Sequence, residues 1–285
     1  MSAAAIRKIG ILYAEESGRG LVHPFFAPIL NAIKKEAEAN GFCILFINHK
    51  LVTTGTDCAE LCRGADLEGV CLVCFDFSSP GIRELAVSGI PCVTIDHILK
   101  GVPTVISDNE TGVQRLIEYA ISKGHRRIAF VHGHNNSVVT RTRIRQFQNT
   151  MDYYKLPVPG DFLREGEYDN IELTRSIVGE MLRLPERPTC ILVPDDIAYL
   201  GARDAAWELG LRIPQDISFA GYDGLSIGQM LDPKLTTIRQ DCERIGVIAM
   251  QTLIRQIDHP KSGKQVPLIF PVEFLPGGTI GPAAE

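Results

Sequence analysis

Two aspartates placed just past the ends of two strands are the residues of this chain best positioned for chemistry. Cys190-Ile191-Leu192-Val193 is a short apolar run stopped by Pro194, and Asp195-Asp196 follow it. Ile217-Ser218-Phe219-Ala220 is a second such run, stopped by Gly221, with Asp223 just beyond. Asp195 and Asp196 open a helix that ends near Gly210, in a first turn where the helix dipole favours carboxylates. A strand–helix–strand unit of parallel strands is wound right-handed and brings both strand ends to one edge of the sheet. Open α/β sheets take their ligands at that edge. Asp195 and Asp223 therefore read as acceptors at the mouth of a site, and Asp196 as the helix cap. A pair of carboxylates could instead cleave a glycosidic bond, but that chemistry needs an apolar setting to raise one of the two pKa values, and the sequence around them signals none.

Other patterns carry less. Cys71-Leu72-Val73-Cys74 has metal-like spacing, yet on a strand residues three apart point to opposite faces. His132-Gly133-His134 has no Cys or carboxylate near it in sequence to complete a metal set. No metal and no cofactor is expected. Gly18-Arg19-Gly20 follows the first strand, but His23 stands where a dinucleotide fingerprint needs its next glycine. No Gly-Lys-Ser/Thr phosphate loop occurs. The chain is therefore not read as an enzyme.

With 285 residues, 45% hydrophobic and 22% charged, the composition is that of a soluble globular protein large enough for one or two domains. The formal net charge of −5 argues against direct binding to nucleic acid, which needs a basic face. The densest basic stretch, Arg141-Thr142-Arg143-Ile144-Arg145, alternates with other residues. No apolar run reaches the length of a membrane span. The chain enters a strand almost at once, at Ile6 to Tyr13, with no signal-peptide core. The expectation is a cytoplasmic protein whose eight cysteines are reduced and mostly buried. Met1-Ser2-Ala3-Ala4-Ala5 reads as a short lead.

The elements that must position these residues alternate. Strands are predicted at Lys8–Ala14, Phe42–Ile47, Gly69–Phe75, Pro91–Ile95 and Thr104–Ser107, and then at Arg127–Val131, Phe162–Leu163, Cys190–Val193 and Ile217–Ala220. Between them lie helical patterns such as Ala27 to Asn40, with Ile29, Leu30, Ile33 and Ala37 at helical spacing. Such alternation means a parallel sheet, here in two halves joined near Val105–Asp108. A helix from about Asp241 to Ile257, a turn at Gly263 and a strand from Val266 to Phe274 have no partners of their own and must pack back onto the halves. Trp207, in Ala205-Ala206-Trp207-Glu208-Leu209, reads as a packing residue.

Several stretches, taken in order, resemble the sensing domain of the lactose-repressor/galactose-repressor (LacI/GalR) family of bacterial transcription regulators. They include Val105-Ile106-Ser107-Asp108-Asn109 through Gly112, Gly124-His125-Arg126-Arg127-Ile128-Ala129, and Arg141-Thr142-Arg143 through Phe147. To these are added Arg187-Pro188-Thr189-Cys190-Ile191, Ile213-Pro214-Gln215-Asp216-Ile217-Ser218, Gly221-Tyr222-Asp223 and Leu235-Thr236-Thr237-Ile238-Arg239-Gln240. The resemblance implies an α/β, periplasmic-binding-protein-like (type I) fold of two parallel-sheet αβα lobes with three crossovers. The lobes are expected at 7–107 plus 240–264 and at 108–239 plus 265–285. It implies a small effector, most readily a sugar, held in the cleft between lobes by Arg143, Asp195, Asp223, Tyr168, Gln240 and Asp108, with His23, Phe25 and Phe26 from the first lobe. One of the two phenylalanines must anchor its helix in the core, and Asp108 either touches the effector or only caps a helix.

The resemblance further implies a homodimer, with Ile197, Tyr199, Leu200, Gln229, Met230 and Leu231 as an apolar interface that shifts as the lobes close. Operator DNA would be read through an N-terminal helix-turn-helix. Family members begin with one, whereas the first strand here starts at Lys8, so that reader is expected to be missing from this chain. The alternatives left open are a sugar-binding protein of a transport system and a regulator that senses a nucleobase or another small metabolite.

Overall fold

Short apolar runs punctuated by glycine, proline and capping residues give twelve strands and nine α-helices among the described residues, which are 6–13, 19–47, 57–74, 80–260 and 267–283 of the computed structural model. In chain order the first are β1 (Arg7–Tyr13), α1 (Phe26–Ala39), β2 (Phe42–Ile47), α2 (Cys58–Gly64), β3 (Gly69–Val73), α3 (Pro80–Val87), β4 (Cys92–Ile95) and β5 (Thr104–Ser107). Next come α4 (Asn109–Ser122), β6 (Ile128–His132), α5 (Val138–Tyr153), β7 (Leu163–Glu165), α6 (Ile171–Leu182), β8 (Cys190–Leu192), α7 (Ala198–Glu208) and β9 (Ser218–Ala220). The chain ends with α8 (Ser226–Met230), β10 (Thr237–Arg239), α9 (Cys242–Asp258), β11 (Leu268–Phe270) and β12 (Glu273–Leu275). The leading residues 1–5, the turn at Gly263 and the start of the last predicted strand at Val266 lie outside the described residues.

The chain divides into two units, Met1–Ser107 with Asp241–Phe270 and Asp108–Gln240 with Pro271–Glu285, and passes from one to the other three times. In the first, a parallel sheet runs in the order β11-β5-β4-β3-β1-β2. Its central strand β3 is buried at every position, as a strand covered on both faces must be. One face packs on α1 and α9 through Ile29, Ile33, Ile245 and Leu253; the other carries Cys58, Cys62, Leu72, Ile82 and Leu85. The second unit has a parallel sheet ordered β7-β6-β8-β9. Val178, Met181, Ala202 and Phe219 fill one side, and Leu116, Ile117, Phe147 and Met151 the other.

The single strand predicted from Val266 to Phe274 is two strands in two places. Leu268–Phe270 pairs in parallel with β5 and belongs to the first unit, so residues up to Phe270 do not join the second as expected. Pro271, which has no N–H to give a ladder, ends that strand. Glu273–Leu275 then pairs antiparallel with β10 in the second unit. Gln240 likewise falls in the second unit rather than the first, where its backbone N–H donates to the Asp223 carbonyl at 3.3 Å.

Candidate functional site

The candidate residues of the second unit collect where the strands of its sheet end. Beyond β8 and β9 the two chains stay paired: Val193 N–H donates to the Ala220 carbonyl and Asp196 N–H to the Tyr222 carbonyl, each at 2.9 Å. This pairing carries Asp195, Asp196 and Asp223 past the sheet side by side.

The three carboxylates have distinct roles. Asp195 is only 4% exposed. Its Oδ1 accepts from the backbone N–H groups of Ile197 and Ala198, both at 2.8 Å, and its Oδ2 from that of Asp169 at 2.7 Å. Asp195, not Asp196, therefore caps α7, which corrects the sequence reading. Asp196 is fully buried and staples two other segments, accepting from Leu225 N–H and from Thr237 Oγ1, both at 2.6 Å. Burial, reinforced by the Asp223 charge, pushes the Asp195 carboxyl up to about 7, and the same causes raise Asp196 well above its ordinary range. The burial that the sequence did not signal is thus present. Asp223 stands at φ +103°, a region that L residues avoid. It is held there by its own N–H to the Ile238 carbonyl at 2.8 Å and by Gln240 Nε2, which donates to its Oδ1 at 2.7 Å.

Arg143 comes from α5 and is 4% exposed. Its Nε donates to Asn109 Oδ1 at 2.8 Å and its Nη1 to the Pro194 carbonyl at 3.2 Å, while the guanidinium lies 3.5 Å from the centroid of the Tyr222 ring. Flat stacking of a desolvated guanidinium on an aromatic ring is a strong form of cation–π contact. Asn109 and Tyr222 were quoted only as motif letters in the sequence; nothing local marks them as the clamp that aims Arg143. Tyr222 can lie there because Gly112 of α4 leaves room for its hydroxyl, where any Cβ would collide.

Tyr168 lies in the segment after β7. Its hydroxyl bonds Thr140 Oγ1 at 2.8 Å, and its ring rests against Gly133, at a spot a Cβ would fill. Its ring centroid is 5.8 Å from the Arg143 guanidinium. Asp108 caps α4, taking Thr111 N–H at 3.0 Å on Oδ1 and Thr111 Oγ1 at 2.6 Å on Oδ2.

In the first unit, Phe25 is buried in the core beside Ile29 and is the helix anchor. Phe26 is half-buried, packed edge-on to Tyr13 at 5.6 Å and tilted against His23 at 4.8 Å between ring centroids. Cys71 is buried within β3 and Cys74 lies beyond its end. Among the described residues no cluster of His, Cys, Asp or Glu could hold a metal ion, and no helix is long and apolar enough to cross a membrane.

The expected interface residues separate. Ile197 and Tyr199 are buried in their own unit, Tyr199 against Phe219, so neither forms an exposed patch: the first turn of α7 turns them onto the sheet. Gln229 donates to the Leu235 carbonyl at 3.1 Å, and Leu231 packs partly on the core. Met230 is 81% exposed and Trp207 56%. The tryptophan is therefore a surface residue rather than a packing one, its ring capped by Arg203 at 4.3 Å. Leu200 is half-buried.

Residues 117–280 match the family model of the periplasmic binding protein-like domain. The chain is 28% identical over 245 residues to the HTH-type transcriptional repressor PurR of Haemophilus influenzae, covering 85% of this chain and 73% of that one. It is 26% identical over 263 residues to the ribose operon repressor of the same organism, covering 89% and 76%. A LacI family transcriptional regulator from Enterococcus faecium, solved with bound ribose, superposes with a TM-score of 0.82 at 24% identity over 98% of this chain and 100% of that one. The chain belongs to the periplasmic binding protein-like domain family and is similar to the effector-binding domains of LacI-family transcriptional regulators.

Proposed function

We propose that this domain binds a small polyhydroxylated effector, a sugar or sugar derivative, at the strand ends of the second unit, and that binding controls an operator-reading helix-turn-helix in the intact regulator. The observation that carries the reading is Arg143: a buried guanidinium, fixed by Asn109 and Pro194, stacked on Tyr222 and set among the carboxylates that follow β8 and β9. Fixed donors beside fixed acceptors suit vicinal hydroxyls, and the Tyr168 ring offers a flat apolar cover for a sugar's C–H face. Asp223 is the acceptor and Gln240 holds it; Asp195 fixes the Asp169 and Ile197 backbone beside it. The relatives support a binding role without turnover, being repressors, one of them of a ribose operon.

Calorimetry of the domain against ribose, cellobiose, other sugars and purine bases tests the reading. Saturable binding of one sugar, unconsumed at the end of the run, is expected. Binding of purine bases alone would replace the sugar with a nucleobase, and consumption of the ligand would overturn the non-enzymatic role.

The same unit supports a homodimer. Trp207, Met230 and Ile227 are exposed apolar residues, and a groove of about 480 Å³ runs beside Trp207, Arg203, Leu231 and Pro233. An exposed apolar patch of this kind marks an interface, here related by a two-fold axis. Asp195 caps α7, which bears Trp207, and Asp223 precedes α8, which ends at Met230. An effector that favours one arrangement of these caps therefore biases the interface.

A further inference from the structure

His134 was set aside in the sequence for want of a partner, and the fold gives it two. It lies in the segment between β6 and α5. Its Nδ1 is 3.1 Å from Oε1 of Glu165, the last residue of β7, and its Nε2 3.3 Å from Oε1 of Glu167, in the segment that leads on to α6. Nδ1 is hydrogen-bonded to Glu165 and Nε2 lies within ion-pair reach of Glu167; an ionised carboxylate only accepts, and only the imidazolium offers a proton to each. The two carboxylates sit on opposite ring nitrogens, which excludes one shared metal. Their remaining oxygens are also tied: Glu165 Oε2 accepts from Asn135 Nδ2 at 2.8 Å and Glu167 Oε2 from Asn170 Nδ2 at 2.7 Å. Tyr168 follows Glu167 directly, and its ring rests on Gly133, which directly precedes His134.

We infer that His134 is a positioning residue for Tyr168: while its ring carries both protons it bolts the β6–α5 segment to the β7–α6 segment and sets the tyrosine over the site, and when it loses one proton that bolt opens. The inference rests on the reading of Tyr168 as the effector's cover.

The charges that face His134 favour this sense. Glu165 and Glu167 raise its pKa, with the Glu165 hydrogen bond as the largest cause, and His134 in turn lowers that of Glu165. His132, on the adjoining strand, is buried with its Nδ1 against the Gly133 carbonyl, and burial lowers its pKa, so it stays neutral and does not compete. Arg141 of α5 points away to the carbonyls of Asn135 and Asn136. A raised histidine pKa gives a stabilisation that is whole below the ordinary value and is lost as pH rises through the folded value. His134 and both carboxylates are about half exposed, so salt screens the bolt and its effect is graded. Two other ties remain, Tyr168 to Thr140 and Asp169 N–H to Asp195, and the second tightens as the Asp195 carboxyl ionises at about 7. The cover therefore loosens rather than detaches.

The test uses the effector-free chain, so its outcome is separate from whether a sugar binds. Long-range proton–nitrogen correlation spectra at pH 6 should show His134 with both nitrogens protonated, and Glu165→Gln and Glu167→Gln should each lower its pKa. Amide exchange over residues 165–170, corrected for intrinsic rates, should speed up about two- to fivefold between pH 6 and pH 8.5, the range an exposed ion pair supplies. In His134→Gln, whose fold circular dichroism would check, that step should vanish. A neutral single tautomer at pH 6, or an exchange step that persists unchanged in His134→Gln, overturns the inference.

Discussion

The strand ends of the two units are built from the same alternation and held by opposite means. After β1, the first unit presents rings: Phe26 between Tyr13 and His23, above the anchor Phe25. After β8 and β9, the second presents three carboxylates and a guanidinium, each held by named donors or acceptors. Packing is graded and tolerates loss in proportion to volume, whereas a buried polar network fails by leaving a partner stranded. The two edges should therefore respond differently to substitution and to pH.

The largest effect expected is in the first unit. Phe25→Ala should lower the unfolding free energy by about 3–5 kcal/mol, the usual cost of removing a buried phenylalanine. Phe26→Ala, half-exposed, should cost less than half of that. Denaturant melts measure both, and equal losses would mean that Phe26, not only Phe25, holds α1 to the sheet.

Arg143→Met comes next. It keeps the length of the side chain but takes a charged donor from Asn109 Oδ1 and the Pro194 carbonyl and removes the cation over Tyr222. A loss of about 2–4 kcal/mol in stability is expected, since buried hydrogen bonds from a charged donor are worth more than neutral ones. Binding to the sugar found by calorimetry should also disappear. Unchanged affinity would remove Arg143 from the site and with it the contrast between the edges.

The sequence made the strands and helices legible because both periodicities are strong here, and the placement of Asp223 followed from the right-handed crossover alone. What it hid depends on which neighbour the chain meets. Asp195 and Asp196 are chemically identical and adjacent; only the extension of β8 along β9 decides that the first caps α7 and the second reaches Thr237. Trp207 has the helical spacing of a core residue, and only the direction of α7 shows its ring on the surface. Pro271 lies inside the single strand predicted from Val266 to Phe274, and nothing local shows that the two halves join different sheets. The partners of His134 lie some 31 residues on, beyond any local pattern.

Asp195→Asn separates polarity from charge. In the native chain the folded state keeps Asp195 protonated up to about 7, while the unfolded chain ionises near pH 4. The folded state then binds more protons over that interval, so this group's contribution to stability falls as pH rises from about 4 to about 7 and is flat above. Asp196 adds a slope of the same sign. Asn at position 195 cannot ionise, and it turns an N–H₂ group toward Asp169 N–H. The variant should lose about 1–3 kcal/mol at pH 5 and show a shallower decline towards pH 7. A decline as steep as the native one would assign the slope to Asp196 alone.

The smallest effect on the fold, and the largest on assembly, belongs to Met230→Glu. Met230 is 81% exposed, and surface changes away from special features usually stay within about 0.5 kcal/mol. Its melt should therefore match the native chain's once concentration dependence is taken into account, because a dimer melts at a temperature that rises with protomer concentration. Sedimentation at tens of micromolar should find native dimers and variant monomers, since a carboxylate facing its own symmetry mate across a two-fold interface is repelled by an identical charge. Calorimetry on the monomers should still detect the sugar, because Arg143, Asp223 and Gln240 are held within one protomer. Monomers that no longer bind would place part of the effector site on the partner subunit, and a variant that stays dimeric would move the interface away from α8.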